Sequence, residues 1–187
     1  MGNRAAGQEH FEKTSPIQQQ EIYRGKTIGL LSDTLLRQDG SLMKWDIVTH
    51  PGAVVLIPIT STNEIIFVKQ WRRAVGKPLI ELPAGTLELG EPPAVCAGRE
   101  LQEETGFRAK EIIPLGGFYS APGFCTEYLH LFLARDLIPD PLPPDEDEAI
   151  DLLFLSLEAA EEMIESGEIC DAKTLAGIHR YVKWSTR

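Results

Sequence analysis

The sequence predicts an α/β fold with a mixed central β-sheet. Two apolar runs of strand length, residues 53–59 and 64–71, indicate buried central strands. A helical segment at 93–105 follows them, with apolar residues on one face and acidic residues on another. With 187 residues, 43% of them hydrophobic, the chain is long enough for one domain with a sizeable core.

The N-terminal part divides into two predicted segments. Residues 1–20 are polar and lack the apolar core of a secretory leader, so they are predicted to form a mobile lead-in. Residues 21–50 are predicted to form two strands joined by a turn at 37–41, a β-hairpin extension. Because a lone hairpin cannot bury itself, it is expected to cover the main domain, residues 51–187, or a second subunit in a homodimer.

The rest of the main domain shows alternating strand and helix signals. Gly167 is placed to end one helix and Asp171 to cap the next. The proline-rich acidic run 140–148 is predicted as a surface loop, and its Glu146 and Glu148 are open candidates for a supplementary metal or substrate contact. Further strands are predicted at 79–85, 112–119, 128–134 and 150–156, and helices at 157–166 and 171–184.

Composition excludes several classes of function. The net charge is −10 and no Lys/Arg cluster is present, which argues against a nucleic-acid partner. No segment has the apolar length of a membrane helix. Cys96, Cys125 and Cys170 are odd in number and lack C-x-x-C spacing, so they are predicted to be reduced thiols of a cytoplasmic protein.

The helix at 93–105 carries the densest charge pattern. Glu100 and Glu104 lie one turn apart, with Glu103 beside them. Most charge runs are solvated faces, and Arg99 could pair with Glu103 at i, i+4 in such a helix. A carboxylate cluster on one face also suits a hard divalent cation, which would let an acidic protein bind a polyanion.

Residues 85–107 match the Nudix box, G-x5-E-x7-R-E-U-x-E-E-x-G-U with U apolar, at every fixed position. The chain therefore resembles the Nudix hydrolases, Mg²⁺-dependent enzymes that cleave nucleoside diphosphates linked to another group. The resemblance implies the Nudix fold, an α/β/α sandwich with a mixed central sheet. The matching residues are Gly85, Glu91, Arg99, Glu100, Glu103, Glu104 and Gly106.

The resemblance also implies a set of metal ligands. In that family they come from the second half of the box and from the carbonyl before the box glycine, here Glu100, Glu103, Glu104 and Ala84. Mg²⁺ is the implied cofactor, with Mn²⁺ as a substitute, because hard cations prefer oxygen ligands. Arg99 resembles a residue that orients a glutamate. Glu91 is expected either to contact a metal through water or to stabilise the helix N-terminus.

Two positions compete for the role of catalytic base. A box glutamate, here Glu103, serves in many Nudix enzymes, whereas in the ADP-ribose branch a glutamate from a later loop is implicated. Glu127 in the loop 120–127 matches that glutamate. Pro122 stands 16 residues after Gly106, a place where the ADP-ribose branch also has a proline.

A substrate-binding arginine is also implied. The segments 70–72 and 81–85 resemble pocket-lining segments of the ADP-ribose and nucleotide-sugar branch, which makes Arg72 a candidate contact. Adjacent arginines more often serve solubility or surface pairing, and Arg73 is assigned there.

The predicted activity is Mg²⁺-dependent hydrolysis of ADP-ribose or ADP-sugars to AMP and a sugar phosphate. The substrate is thus a small nucleoside diphosphate compound. One alternative is hydrolysis of GDP-mannose or a broad range of nucleotide-sugars. Another is a Nudix-like module that senses nucleotide without cleaving it, but binding alone has no need of the full carboxylate set.

Overall fold

The structure is a computed structural model that describes residues 4–37, 39–143 and 149–186, with Arg4 described by its backbone alone. The chain divides into two compact units. The first comprises Met1–His50 and Ala121–Glu127, and the second comprises Pro51–Ser120 and Tyr128–Arg187. No helix in the described ranges is long and apolar enough to span a membrane.

The described part of the first unit contains one helix and a three-stranded antiparallel sheet. Helix α1 spans Arg4–Thr14, and strands β1 (Ile17–Arg24), β2 (Gly29–Leu36) and β3 (Leu42–Thr49) pair in that order. The turn between β2 and β3 lies where the sequence predicted it. It is closed by the N–H of Arg37, which donates to the carbonyl of Ser41 at 2.8 Å.

Two N-terminal predictions need correction. The lead-in predicted over residues 1–20 contains α1 and the start of β1. The single strand predicted before the turn is two strands, because the chain reverses at Gly25, whose N–H donates to the carbonyl of Ile28 at 2.8 Å. Every residue of β1 is exposed, so β1 is held by backbone hydrogen bonds to β2 and leaves no apolar pattern in the sequence.

Among its described residues, the second unit contains two sheets and three helices. In one sheet the strand order is β10-β5-β6, and in the other it is β7-β4-β9-β8, where β4 and β9 run parallel. The strands are β4 (Ala53–Pro58), β5 (Ile65–Arg72), β6 (Lys77–Glu81), β7 (Ala84–Thr86), β8 (Phe107–Tyr119), β9 (Tyr128–Pro139) and β10 (Ile150–Leu155), and the helices are α2 (Pro93–Thr105), α3 (Leu157–Ser166) and α4 (Ala172–Ser185).

Strand β4 is buried along its whole length because helices cover both of its faces. Val54 and Leu56 pack in one apolar cluster with residues of α2. Val55 and Ile57 belong to a second cluster, which includes Ile178 of α4. The predicted α/β/α arrangement with a mixed sheet is therefore confirmed, with the difference that the strands form two sheets.

The strand predicted at 79–85 is interrupted at Leu82 and Pro83. Pro83 has no N–H to donate to a ladder. The N–H of Leu82 donates to Oγ1 of Thr174 in α4 at 2.8 Å, and the carbonyl of Pro83 accepts from the N–H of Leu56 at 2.8 Å. These two hydrogen bonds hold Leu82 and Pro83 where the chain passes from β6 in one sheet to β7 in the other.

Candidate active site

Helix α2 turns its acidic face towards the protein. It ends at Gly106, which has a left-handed φ of 75°, as the sequence predicted. Glu100 is 9% exposed and Glu104 is 6% exposed. A solvated acidic helix therefore does not describe this segment. The fully buried residues of its apolar face are Cys96, Ala97 and Leu101.

The guanidinium of Arg99 joins three of the box carboxylates. Its Nη1 donates to Oε1 of Glu100 at 2.7 Å and to Oε2 of Glu103 at 2.8 Å. Its Nε and Nη2 donate to the two oxygens of Glu91, each at 3.1 Å. Charge-assisted bonds of this kind are stronger than neutral ones, so one side chain orients three acids from two parts of the chain.

Strand β7 lies against the carboxylates of α2. The N–H of Ala84 donates to Oε2 of Glu104 at 2.8 Å. A Cβ at Gly85 would lie 1.8 Å from Cδ of Glu100 and 1.9 and 2.2 Å from its two oxygens. Only glycine therefore allows the strand and this carboxylate to approach so closely.

These contacts control the protonation of the site. Hydrogen bonds from Arg99 lower the pKa of Glu91 from 4.5 to about 2, so Glu91 is ionised at neutral pH. The hydrogen bond to Glu91 in turn raises the pKa of Arg99. Burial raises the pKa of the Cys96 thiol to about 12, so this buried cysteine stays protonated and unreactive.

The family implies a divalent metal, and the donors fit one in their chemistry. Carboxylate and carbonyl oxygens are what Mg²⁺ prefers, and the absence of a Cβ at Gly85 lets the Glu100 carboxylate lie against the backbone of β7. Among the described residues, however, no three His, Cys, Asp or Glu side chains are grouped so that they could hold a metal ion. Metal binding by Ala84, Glu100, Glu103 and Glu104 stays a prediction, and the candidates Glu146 and Glu148 lie outside the described residues.

Arg72, at the end of β5, belongs to an ion-pair network centred on the buried carboxylate of Glu81. Its Nε and Nη2 donate to the two oxygens of Glu81 at 2.7 and 2.6 Å, and Nζ of Lys173 also donates to Glu81. Burial acts to raise the pKa of Glu81, but the hydrogen bond from Arg72 and the charge of Lys173 outweigh it and leave the pKa below its usual value.

The Arg72 side chain is 39% exposed, so part of it faces solvent, and a substrate contact there stays a prediction. The sequence indicated Glu81, because it lies in the segment 81–85 that resembles a pocket-lining segment. No sequence pattern indicated Lys173.

Glu127 and Pro122 belong to the first unit, whereas the box residues belong to the second. Oε1 of Glu127 lies 3.7 Å from Nε2 of His50, and the two side chains are 26% and 11% exposed. The backbone N–H of His50 donates to Oγ1 of Thr126 at 2.9 Å, which holds this part of the loop to the end of β3. Pro122 lines a cavity of about 420 Å³ together with Trp45.

Comparisons with known proteins find relatives over most of the chain. It is 41% identical over 169 residues to an ADP-ribose pyrophosphatase of Bacillus subtilis (strain 168), with 89% of this chain and 90% of the relative covered. A methanol dehydrogenase activator of Bacillus methanolicus is 40% identical with the same coverage. A GDP-mannose pyrophosphatase of Escherichia coli (strain K12) is 33% identical over 161 residues, which are 80% of this chain and 84% of that protein.

A solved structure described as that of an ADP compounds hydrolase superposes with a TM-score of 0.81. It covers 91% of this chain and 93% of its own, at 22% identity, so it bears on the fold alone. The NUDIX domain model matches residues 49–177, a span that contains the whole of the box, β7 and α2. On this match and on the 41% identical relative, the chain belongs to the NUDIX family.

Proposed function

We propose that this protein is a Mg²⁺-dependent pyrophosphatase that hydrolyses ADP-ribose or ADP-sugars to AMP and a sugar phosphate. The observation that carries the proposal is the box itself, where Arg99 and the backbone of β7 orient four largely buried carboxylates. The name of the 41% identical relative, an ADP-ribose pyrophosphatase, supports the substrate class. A module that only senses nucleotide would have no need of this full set of oriented acids.

The chemistry follows from what each group can do. Ala84, Glu100, Glu103 and Glu104 would hold a Mg²⁺ ion, which would supply charge neutralisation at the phosphoryl oxygens and a water of lowered pKa. Arg99 keeps Glu100 and Glu103 in fixed orientations, and the N–H of Ala84 does the same for Glu104.

Proton transfer and substrate binding complete the proposed roles. Glu127 accepts the proton of the attacking water, with Glu103 as the rival for this role. Arg72 offers the exposed part of its guanidinium to phosphate or to the terminal sugar, while Glu81 holds its other edge. Pro122 shapes the substrate side of the loop that carries Glu127.

The substrate assignment is tested by initial rates on a panel of nucleoside diphosphate and triphosphate compounds. We expect kcat/KM for ADP-ribose to exceed that for ATP or dGTP by at least about 10²-fold, because a triphosphate leaves sugar-binding donors unpaired. Faster turnover of GDP-mannose would favour the alternative that the 33% identical relative supports. A preference for triphosphates would refute the assignment to nucleotide-sugars.

We also propose a homodimer in which the first unit supplies contact surface. Apolar side chains on its sheet are more than half exposed, Ile22 at 51% and Leu42 at 60%, and such groups favour a partner. Light scattering should give twice the chain mass for the wild type and a lower mass for Ile22→Glu. The control Gln20→Glu adds the same charge without removing an apolar contact. A wild-type monomer would contradict the proposal.

We assign the protein to the cytoplasm. Cys96, Cys125 and Cys170 are all free thiols, as expected of a reducing compartment. Fractionation of expressing cells would test this.

A further inference from the structure

A cleft in the second unit lies between strand β8 and helix α4. Its volume is about 600 Å³, within the usual range for small-molecule sites. No residue of the Nudix box lines it. We call it the C-terminal cleft, and the lining residues that matter here are Leu115, Phe118, His179, Arg180, Lys183 and Trp184.

A bulge in β8 shapes the floor of the C-terminal cleft. The register between β8 and β9 shifts between Pro114 and Gly116, which leaves Leu115 outside the regular pairing. Gly116 has a φ of 92°, a conformation that glycine adopts most easily. Bulges redirect side chains, and here Leu115 is only 9% exposed while Phe118 is half-buried. The floor is therefore apolar and aromatic.

Helix α4 supplies the opposite wall. Its residues at positions 176, 179, 180, 183 and 184 share one face because they are three or four residues apart. The ring of Trp184 stacks on that of Tyr181, with centroids 6.5 Å apart and planes inclined by 20°. Both rings pack against the apolar cluster that includes Val55, Ile57 and Ile178, and this packing holds the Trp184 ring in place.

Two cationic side chains, Arg180 and Lys183, line the C-terminal cleft of a protein whose net charge is −10, together with His179. His179, Arg180 and Lys183 are all exposed. Within the described ranges, none of them forms a salt bridge or a side-chain hydrogen bond. The negative end of the helix dipole is enough to explain Lys183, which lies in the last turn of α4. It does not explain Arg180, which lies about one turn earlier. The cleft thus combines aromatic walls with uncompensated positive charge.

We propose that the C-terminal cleft is a second binding site, for a nucleoside monophosphate. Arg180 and Lys183 would bind the phosphate, since guanidinium and ammonium groups are the usual phosphate donors. Phe118 and Trp184 would contact the base, because aromatic side chains stack on any base. A cleft of small-molecule size that combines two cations with aromatic side chains favours this occupant.

The test is calorimetric titration with adenosine 5′-monophosphate in EDTA, so that no divalent metal and no turnover are involved. Because AMP is also a product of the proposed reaction, the comparison of the cleft variant with its control separates this site from the catalytic one. The test variant is Arg180→Ala/Lys183→Ala. The control is Lys69→Ala/Lys110→Ala, which removes the same charge from exposed strand positions of the same unit. Circular dichroism checks that both variants fold.

We expect the wild type to bind AMP more tightly than inorganic phosphate or adenosine alone. In the Arg180→Ala/Lys183→Ala variant, the affinity of one AMP-binding site should fall by at least about tenfold. In the control it should not fall. Absent AMP binding by the wild type, an unchanged affinity in the variant, or equal losses in variant and control would each overturn the proposal. So would self-association of the wild type that the variant abolishes, because the occupant would then be a second copy.

Discussion

Replacing Gly85 with alanine tests whether the carboxylate of Glu100 must stay where β7 leaves room for it. The added Cβ would lie 1.8 Å from Cδ of Glu100, whereas real Cβ contacts essentially never fall below 3.0 Å. The carboxylate must therefore move by about 1 Å, which also breaks its bond to Arg99. Because a misplacement of about 1 Å at a reacting centre can cost 10²-fold in rate, we expect kcat to fall by about that factor.

The measurement is kcat for ADP-ribose at saturating Mg²⁺, together with the thermal unfolding midpoint. We expect the midpoint to fall only modestly, because the clashing group is the end of a flexible side chain that can rotate away and Arg99 keeps its bonds to Glu91 and Glu103. The control is Gly98→Ala on α2, where the nearest neighbour of a new Cβ is Cδ1 of Ile112 at 3.7 Å. Alanine there should keep full activity and stabilise the helix by about 0.5–1 kcal/mol. A Gly85→Ala variant with wild-type kcat would refute the reasoning.

Four further outcomes are expected. Glu104→Gln should abolish turnover and weaken Mg²⁺ binding with the fold intact, and wild-type kcat at saturating Mg²⁺ would contradict its assignment as a ligand. Glu127→Gln should lower kcat by about 10² to 10⁴ with little change in Mg²⁺ dependence, and an unchanged rate would return the role of base to the box. Thr174→Val leaves the N–H of Leu82 without its acceptor and should cost about 1–3 kcal/mol, or roughly 2–4 °C in Tm per kcal/mol, whereas Thr174→Ser should restore stability. Because the folded-state pKa of Glu91 is depressed to about 2, its contribution to stability is complete above pH 4.5 and is lost as the pH falls towards 2, so urea unfolding should show a steeper loss in that window for the wild type than for Glu91→Gln.

The amino-acid sequence determined the features that depend on neighbouring residues. Helix α2 runs over Pro93–Thr105 as predicted, since prolines suit its first turn and Gly106 adopts the left-handed conformation that ends it. The Asp171 side chain caps α4 by accepting from the N–H of Thr174, also as predicted. The unbroken apolar run of β4 predicted a strand buried on both faces. Local dihedral preferences and hydrophobic period carry this information.

The tertiary structure decided which distant groups meet. The spacing of the box required a glycine at position 85, but only the approach of β7 to Glu100 gives the physical reason for it. Glu81 pairs with Lys173, which lies 92 residues later, and no local sequence pattern predicts this pair. The break between β6 and β7 likewise depends on Thr174, which supplies the acceptor that a sheet partner would have provided. Such contacts arise from the packing of separate elements, and no local pattern of residues encodes them.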